Sequence, residues 1–134
     1  MARLRILAAT VAVLATAATA SAASTEPVPD RVQVRGMEYD LLLSKQKLHP
    51  GNDIVQFLND GEDSHDLKFQ RVGPAGEPEG PEIAIGVVGP GEYENLEAHF
   101  KRSSTYVFWC SLADHRQKGM EATLRTKKRR ASSS

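Results

Sequence analysis

Four side chains in this sequence form a set that suits a redox-active metal ion. Cys110, His115 and Met120 stand in the pattern Cys-x4-His-x4-Met at the end of an apolar segment, and His65 lies well upstream. Thiolate and thioether are soft ligands, and imidazole binds copper in both of its common oxidation states. The residue types therefore predict one copper ion, cycling between Cu(I) and Cu(II), held by His65, Cys110, His115 and Met120.

Two alternatives to a copper site bear on Cys110, the only cysteine of the chain. A lone cysteine has no partner for an internal disulfide, and it could be a small buried hydrophobe. The fixed offsets of His115 and Met120 argue against that role. Zinc accepts cysteine and histidine, but the ligands of structural zinc sites are thiolates, imidazoles and carboxylates. The thioether of Met120 therefore favours copper over zinc.

The same residues resemble the copper-binding motif of the cupredoxins, the small blue copper proteins. The resemblance covers residues 31–126, and the spacing of the ligand loop is similar to that of rusticyanin and auracyanin, longer than that of plastocyanin. It is carried by Asn59, His65, residues 106–110, His115, Gly119 and Met120.

The resemblance implies a fold, a ligand geometry and a role. The fold would be a Greek-key β-sandwich. The two histidines and the cysteine would hold copper in a near-trigonal plane, with the methionine as a weak axial ligand. Four protein ligands leave no open position for a substrate, which favours a one-electron carrier between transient redox protein partners over an enzyme. A copper-binding module for storage or delivery outside the cytoplasm is the alternative, and a sensory or catalytic copper domain is a third.

The first residues predict export. Residues 1–22 combine an early positive charge, an apolar segment rich in alanine, and Ala-Ser-Ala before the expected cleavage point, as in a secretory signal peptide. A membrane anchor is the alternative, but the apolar segment is short for one. Residues 23–30 are expected to be a flexible lead-in. The protein would then be periplasmic, on the cell surface or extracellular.

The remaining pattern is all-β. Short segments of alternating apolar and polar residues are separated by Gly- and Pro-rich turns, and no segment has a helical period, so we expect a single β-sandwich domain over residues 31–126. The predicted strands are 37–43, 53–59, 65–72, 82–88, 92–100, 104–110 and 120–126.

Charge is balanced over the whole chain, with 17 basic and 17 acidic residues, but residues 127–134 begin with four basic side chains. This tail is expected to be a solvated, disordered end. Contact with anionic lipid or an acidic partner is the alternative. No basic and aromatic stripe suggests nucleic acid as a partner, and we expect a monomer.

Four further residues are candidates for supporting roles. Asn59 precedes a turn and would fix that loop through hydrogen bonds from its side chain to the backbone. Asp66 would accept backbone N–H groups near Cys110 and so join the two ligand loops, unless it is a simple surface turn residue. Leu112 and Ala113 would form a small apolar docking patch beside His115, the expected point of electron exit.

Overall fold

The computed structural model describes residues 28–128, which form nine strands and no helix, and therefore contain no helix able to cross a membrane. The predicted all-β fold is confirmed. The segments predicted as a signal, residues 1–22, and most of the tail, residues 129–134, lie outside the described range, as do residues 23–27. The strands are β1 (Arg31–Met37), β2 (Asp40–Leu43), β3 (Lys47–Leu48), β4 (Gly51–Asn59), β5 (His65–Val72), β6 (Ile83–Val88), β7 (Tyr93–Phe100), β8 (Thr105–Trp109) and β9 (Glu121–Thr126).

The strands form two sheets that pack face to face. One sheet has the order β2-β1-β4-β7 and the other has the order β3-β9-β8-β5-β6. Alternation buries one face of each strand; in β4, for example, Val55, Phe57 and Asn59 point inward. Between the sheets, the ring of Phe69 stacks on the rings of Phe100 and Phe108, with centroids 5.9 and 4.7 Å away. Aromatic pairs of this kind stabilise the core beyond the burial of their area alone.

The prediction of one strand over residues 37–43 was wrong. The chain forms two antiparallel strands there, β1 and β2, with Met37 paired to Asp40 across a tight turn. Tyr39 adopts a positive φ of 65° in this turn. The usual hairpin signals, such as Asn-Gly, are missing, which is why the sequence reads as one continuous strand. The other six predicted strands agree with the structure to within two residues at each end.

Strand order brings the candidate ligands to one end of the sandwich. β5 and β8 are antiparallel neighbours, with Lys68 opposite Trp109. The start of β5, where His65 lies, is therefore next to the end of β8, which Cys110 follows directly. β9 pairs with β8 on the other side, with Glu121 opposite Trp109. Met120, just before β9, consequently returns to the same end.

Candidate metal centre

The side chains of His65, Cys110 and His115 converge on one point. The Nδ1 atoms of the two histidines are 3.3 Å apart, and the sulfur of Cys110 lies 3.9 Å from Nδ1 of His65 and 3.5 Å from Nδ1 of His115. A point equidistant from the corners of a triangle with these sides lies about 2.1 Å from each atom, a value fixed by the three distances. Imidazole and thiolate bind a divalent metal ion at about 2.0–2.3 Å. The three donors therefore fit around a single ion.

The loop that carries His115 is closed by its own backbone. The N–H of Cys110 donates to the carbonyl of Met120 at 3.2 Å, and the N–H of Met120 donates to the carbonyl of His115 at 3.0 Å. Gly119 makes the return possible with a φ of 114°, a conformation that residues with a Cβ rarely adopt. The loop thus holds the imidazole of His115 beside the thiol through ordinary hydrogen bonds.

Met120 lies inside this end of the sandwich. It is fully buried, as is His65. Its methyl carbon packs close to the backbone of Gly36, where a Cβ would come within 3.2 Å of it and within 2.9 Å of the ring of Phe57. Any larger residue at position 36 would push against Met120. The donor atoms of His65, Cys110 and His115 all lie within 4.8 Å of one another, and the Met120 thioether is enclosed in the core.

The Cys110 thiol is enclosed on all sides. Its burial raises the pKa of the sulfur above the ordinary value, and the backbone N–H groups of Asp66 and Leu112 act in the opposite direction. A bound cation favours the thiolate more strongly than N–H donors do. The chemistry of these residues, a buried thiol close to two imidazoles with a buried thioether in the same loop, therefore fits a soft metal ion such as copper.

Asp66 joins the two segments that carry the donors. Its carboxylate accepts the backbone N–H of Ser111 at 2.6 Å and the hydroxyl of Ser111 at 2.5 Å. Because Asp66 follows His65 and Ser111 follows Cys110, this double contact fixes the distance between the imidazole and the thiol. Charge-assisted hydrogen bonds of this kind are stronger than neutral ones.

Asn59 holds the loop that leads to His65. Its side-chain amide donates to the carbonyls of Asp63 at 2.7 Å and Val88 at 2.9 Å, while its oxygen accepts the N–H of Gly61 at 3.0 Å. The residue is fully buried, so water cannot replace these partners. Asn59 therefore connects β4, the loop before β5, and β6 at the metal end.

Glu38 is a site residue that sequence reasoning missed. One oxygen of its carboxylate, Oε1, accepts the backbone N–H groups of Asp63 and Glu62 at 2.9 and 2.7 Å and lies 3.3 Å from Nε2 of His65. The backbone N–H of Asp63 is the largest influence that lowers the pKa of Glu38 to about 2. Glu38 is 27 positions from His65 in the chain. The turn between β1 and β2, where the sequence predicted a continuous strand, brings the two residues together.

Tyr39, the next residue in the turn, covers the other histidine. Its ring meets the ring of His115 edge to face, with centroids 5.6 Å apart. The Lys118 ammonium also lies over the Tyr39 ring, 4.6 Å from its centroid. Tyr39 is 40% exposed. The turn after β1 thus contacts both histidines, one through a carboxylate and one through an aromatic ring.

The two residues predicted to form a docking patch differ in exposure. Leu112 is half-buried and packs against the core, while Ala113 is exposed. Ala113 has a positive φ of 44°. The surface around His115 also carries Tyr39 and the charged residues Asp114 and Lys118, which form an ion pair at 3.1 Å.

Neither a family model nor a curated protein sequence matches the chain, whereas solved structures do. Reduced auracyanin from Roseiflexus castenholzii is 20% identical with a TM-score of 0.57, over 72% of this chain and 95% of that one. Auracyanin A, a blue copper protein of Chloroflexus aurantiacus, is 16% identical with a TM-score of 0.56, over 75% of this chain and all of that one. A multicopper oxidase is 18% identical with a TM-score of 0.50, over 73% of this chain but 42% of that one.

These similarities define the class of fold. The chain has the β-sandwich of the cupredoxins, and the predicted resemblance to them is confirmed. It spans nearly the whole length of the auracyanins and less than half of the oxidase.

Proposed function

We propose that this protein is an exported mononuclear blue copper protein that carries single electrons between redox partners. The observation that carries the proposal is the triangle of His65, Cys110 and His115 donor atoms, whose centre lies at metal-binding distance from all three. Copper would supply a one-electron couple at that centre, with Met120 as its weak axial ligand. The proposal of export rests on residues 1–22, which read as a signal peptide.

The surroundings of the donors favour a carrier. Electron transfer is fast when ligands move little between oxidation states, and here the donors are tied by hydrogen bonds that need no metal. Asp66 connects the two donor segments, and Asn59 fixes the loop before His65. The described residues contain one cluster of metal-binding side chains, His65 with Cys110 and His115. A delivery protein would be expected to expose further methionine or histidine ligands nearby.

His115 is the proposed point of electron exit. His65 is fully buried, whereas His115 is partly exposed on the loop after β8. Ala113 and the edge of Tyr39 lie at the surface beside it, and they would form the apolar part of a small docking face for transient redox partners. Small interfaces are typical of weak redox encounters.

The decisive experiment is the visible absorption of the protein loaded with Cu(II). Ligation by the Cys110 thiolate should give an intense sulfur-to-copper charge-transfer band, and the copper should stay bound through repeated reduction and reoxidation. Cys110→Ser should lose the band while the far-UV circular dichroism keeps the signature of a β-sandwich. A wild-type protein that binds Cu(II) without this band would contradict the blue copper assignment.

The alternative role, copper delivery, is tested in the same preparation. A carrier should retain Cu(I) when mixed with an apo acceptor that has only moderate affinity for it. Rapid transfer of the reduced ion, with slow electron exchange, would favour storage or delivery.

A further inference from the structure

The imidazole of His65 is held at both of its nitrogens. Nδ1 faces the sulfur of Cys110 and Nδ1 of His115, and the opposite nitrogen, Nε2, lies 3.3 Å from Oε1 of Glu38. His65 itself is completely buried, whereas the Glu38 side chain is 35% exposed at the rim. A carboxylate at Nε2 favours the tautomer with its proton there, because a carboxylate only accepts hydrogen bonds. That tautomer leaves the Nδ1 lone pair free to bind a metal ion.

The carboxylate of Glu38 is itself fixed in place. Two backbone N–H groups, those of Glu62 and Asp63, donate to the same oxygen that faces His65. Gly61 leaves the room for this contact, because a Cβ at position 61 would overlap the Glu38 carboxylate. The loop before β5 therefore fits closely around the carboxylate of Glu38 and holds it in one position.

We propose that Glu38 is a positioning residue for His65, which sets the tautomer and ring orientation of this donor and biases the site toward the more highly charged oxidation state of its metal. The effect on the oxidation state rests on the copper function proposed above, whereas the effect on the tautomer and ring orientation of His65 does not. Carboxylates that accept from the outer nitrogen of a metal-binding histidine orient the ring and raise its basicity. Their negative charge stabilises Cu(II) more than Cu(I), because the interaction grows with the charge of the ion. Glu38 should therefore lower the reduction potential of the site.

Two variants separate position from charge. Glu38→Gln keeps an oxygen that can accept from His65 and from the two backbone N–H groups, but it removes the charge. Glu38→Ala removes both. Glu62→Gln is the matched control, because Glu62 is an exposed acid on the same loop with no contact between its side chain and His65 among the described hydrogen bonds.

The first measurement uses the metal-free protein. Nitrogen-15 spectra of the imidazoles, recorded where the histidines are neutral, should show His65 as the Nε2–H tautomer in the wild type, in Glu38→Gln and in Glu62→Gln. In Glu38→Ala the tautomers should mix, and the affinity for Zn(II), measured by competition with a chelator, should fall about tenfold. Unfolding by urea establishes that each variant is folded.

The second measurement uses copper. Glu38→Gln should weaken Cu(II) binding by about tenfold and Cu(I) binding by less, so that the reduction potential rises relative to Glu62→Gln. An unchanged tautomer and unchanged Zn(II) affinity in Glu38→Ala would overturn the positioning role. A potential that moves equally in Glu38→Gln and Glu62→Gln would overturn the charge effect. If the wild type shows no charge-transfer band, the proposed function fails, while the tautomer and Zn(II) results still decide the role of Glu38.

Discussion

The two ends of strand β4 carry buried polar residues on the same face, and these residues differ in their hydrogen-bond partners. Asn59 lies at the metal end and Asp53 lies near the other end, six positions away, which corresponds to about 20 Å of extended strand. Every side-chain polar atom of Asn59 has a partner. Asp53 accepts one hydrogen bond, from the N–H of Asp30 at 2.8 Å, and its second oxygen, Oδ2, has none.

The two ends differ in how completely their buried polar side chains are hydrogen-bonded. At the metal end, the buried polar residues Asn59, His65 and Asp66 have partners that lie on other strands or loops, so each of them fixes one segment against another. At the far end, burial raises the pKa of Asp53, and the neighbouring charge of Asp30 raises it further. The far end therefore holds a buried carboxyl group through which the stability of the fold should respond to pH.

The largest effect is expected from removing Asn59. Asn59→Ala leaves the carbonyls of Asp63 and Val88 without their buried donor and opens a small cavity, which should lower the free energy of unfolding of the apo protein by roughly 3 kcal/mol. Urea denaturation measures the loss. Asn59→Asp, which keeps the acceptor for Gly61 but cannot donate, should be destabilised as well. A loss below about 1 kcal/mol in Asn59→Ala would contradict the comparison of the two ends.

The next effect concerns the pH dependence at the far end. The raised pKa of Asp53 means that the folded state keeps this proton to higher pH than the unfolded chain, so its contribution to stability is complete below the ordinary pKa of 3.8 and is lost as pH rises through the folded value. Asp53→Asn, which never ionises, should match the wild type near pH 3.5 and exceed it by roughly 1 kcal/mol at pH 7. Urea denaturation at both values measures the difference.

Asp30 serves as a control, because its pKa is shifted in the opposite direction from that of Asp53. Partial burial raises its pKa, but hydrogen bonds from Lys45 and from the N–H of Arg31 outweigh this effect and lower the pKa of Asp30 to about 2. Its contribution is present above the ordinary value of 3.8 and is lost as pH falls toward 2. Asp30→Asn should therefore lose stability relative to the wild type at neutral pH. Equal pH profiles for Asp53→Asn and the wild type would show that Asp53 is not the sensitive group.

Site residues that belong to the ligand motif or lie next to it can be predicted from the sequence, whereas those far from it along the chain cannot. His65, Cys110, His115 and Met120 are recognisable because their types and spacing are unusual together, and Asp66 is recognisable because it follows a donor. Glu38 was invisible, because its contact with His65 depends on a hairpin turn that has no glycine and places Tyr39 at a positive φ. The alternation of apolar and polar residues predicted the strand over residues 53–59, but it could not show that Oδ2 of Asp53 has no hydrogen-bond partner, which depends on the packing of the opposite segments.

The smallest expected effect is on electron exchange, which should depend on the metal end of the protein and not on the far end. Ala113, at the metal end, and Ser103, in the turn between β7 and β8 at the far end, are both exposed and have positive φ values of 44° and 50°. Ala113→Glu and Ser103→Glu therefore add the same charge on similar backbone. If copies of the protein exchange electrons through the face around His115, a charge on that face opposes their approach, while a charge at the far end does not.

The electron self-exchange rate, measured by line broadening in mixtures of the oxidised and reduced protein, should fall on the order of threefold in Ala113→Glu at low salt. It should recover as salt screens the charge, and the visible spectrum should not change. Ser103→Glu should exchange at the wild-type rate. Equal slowing in both variants would mean that net charge, not the surface beside His115, controls the encounter. The proposed exit through that imidazole would then lose its support.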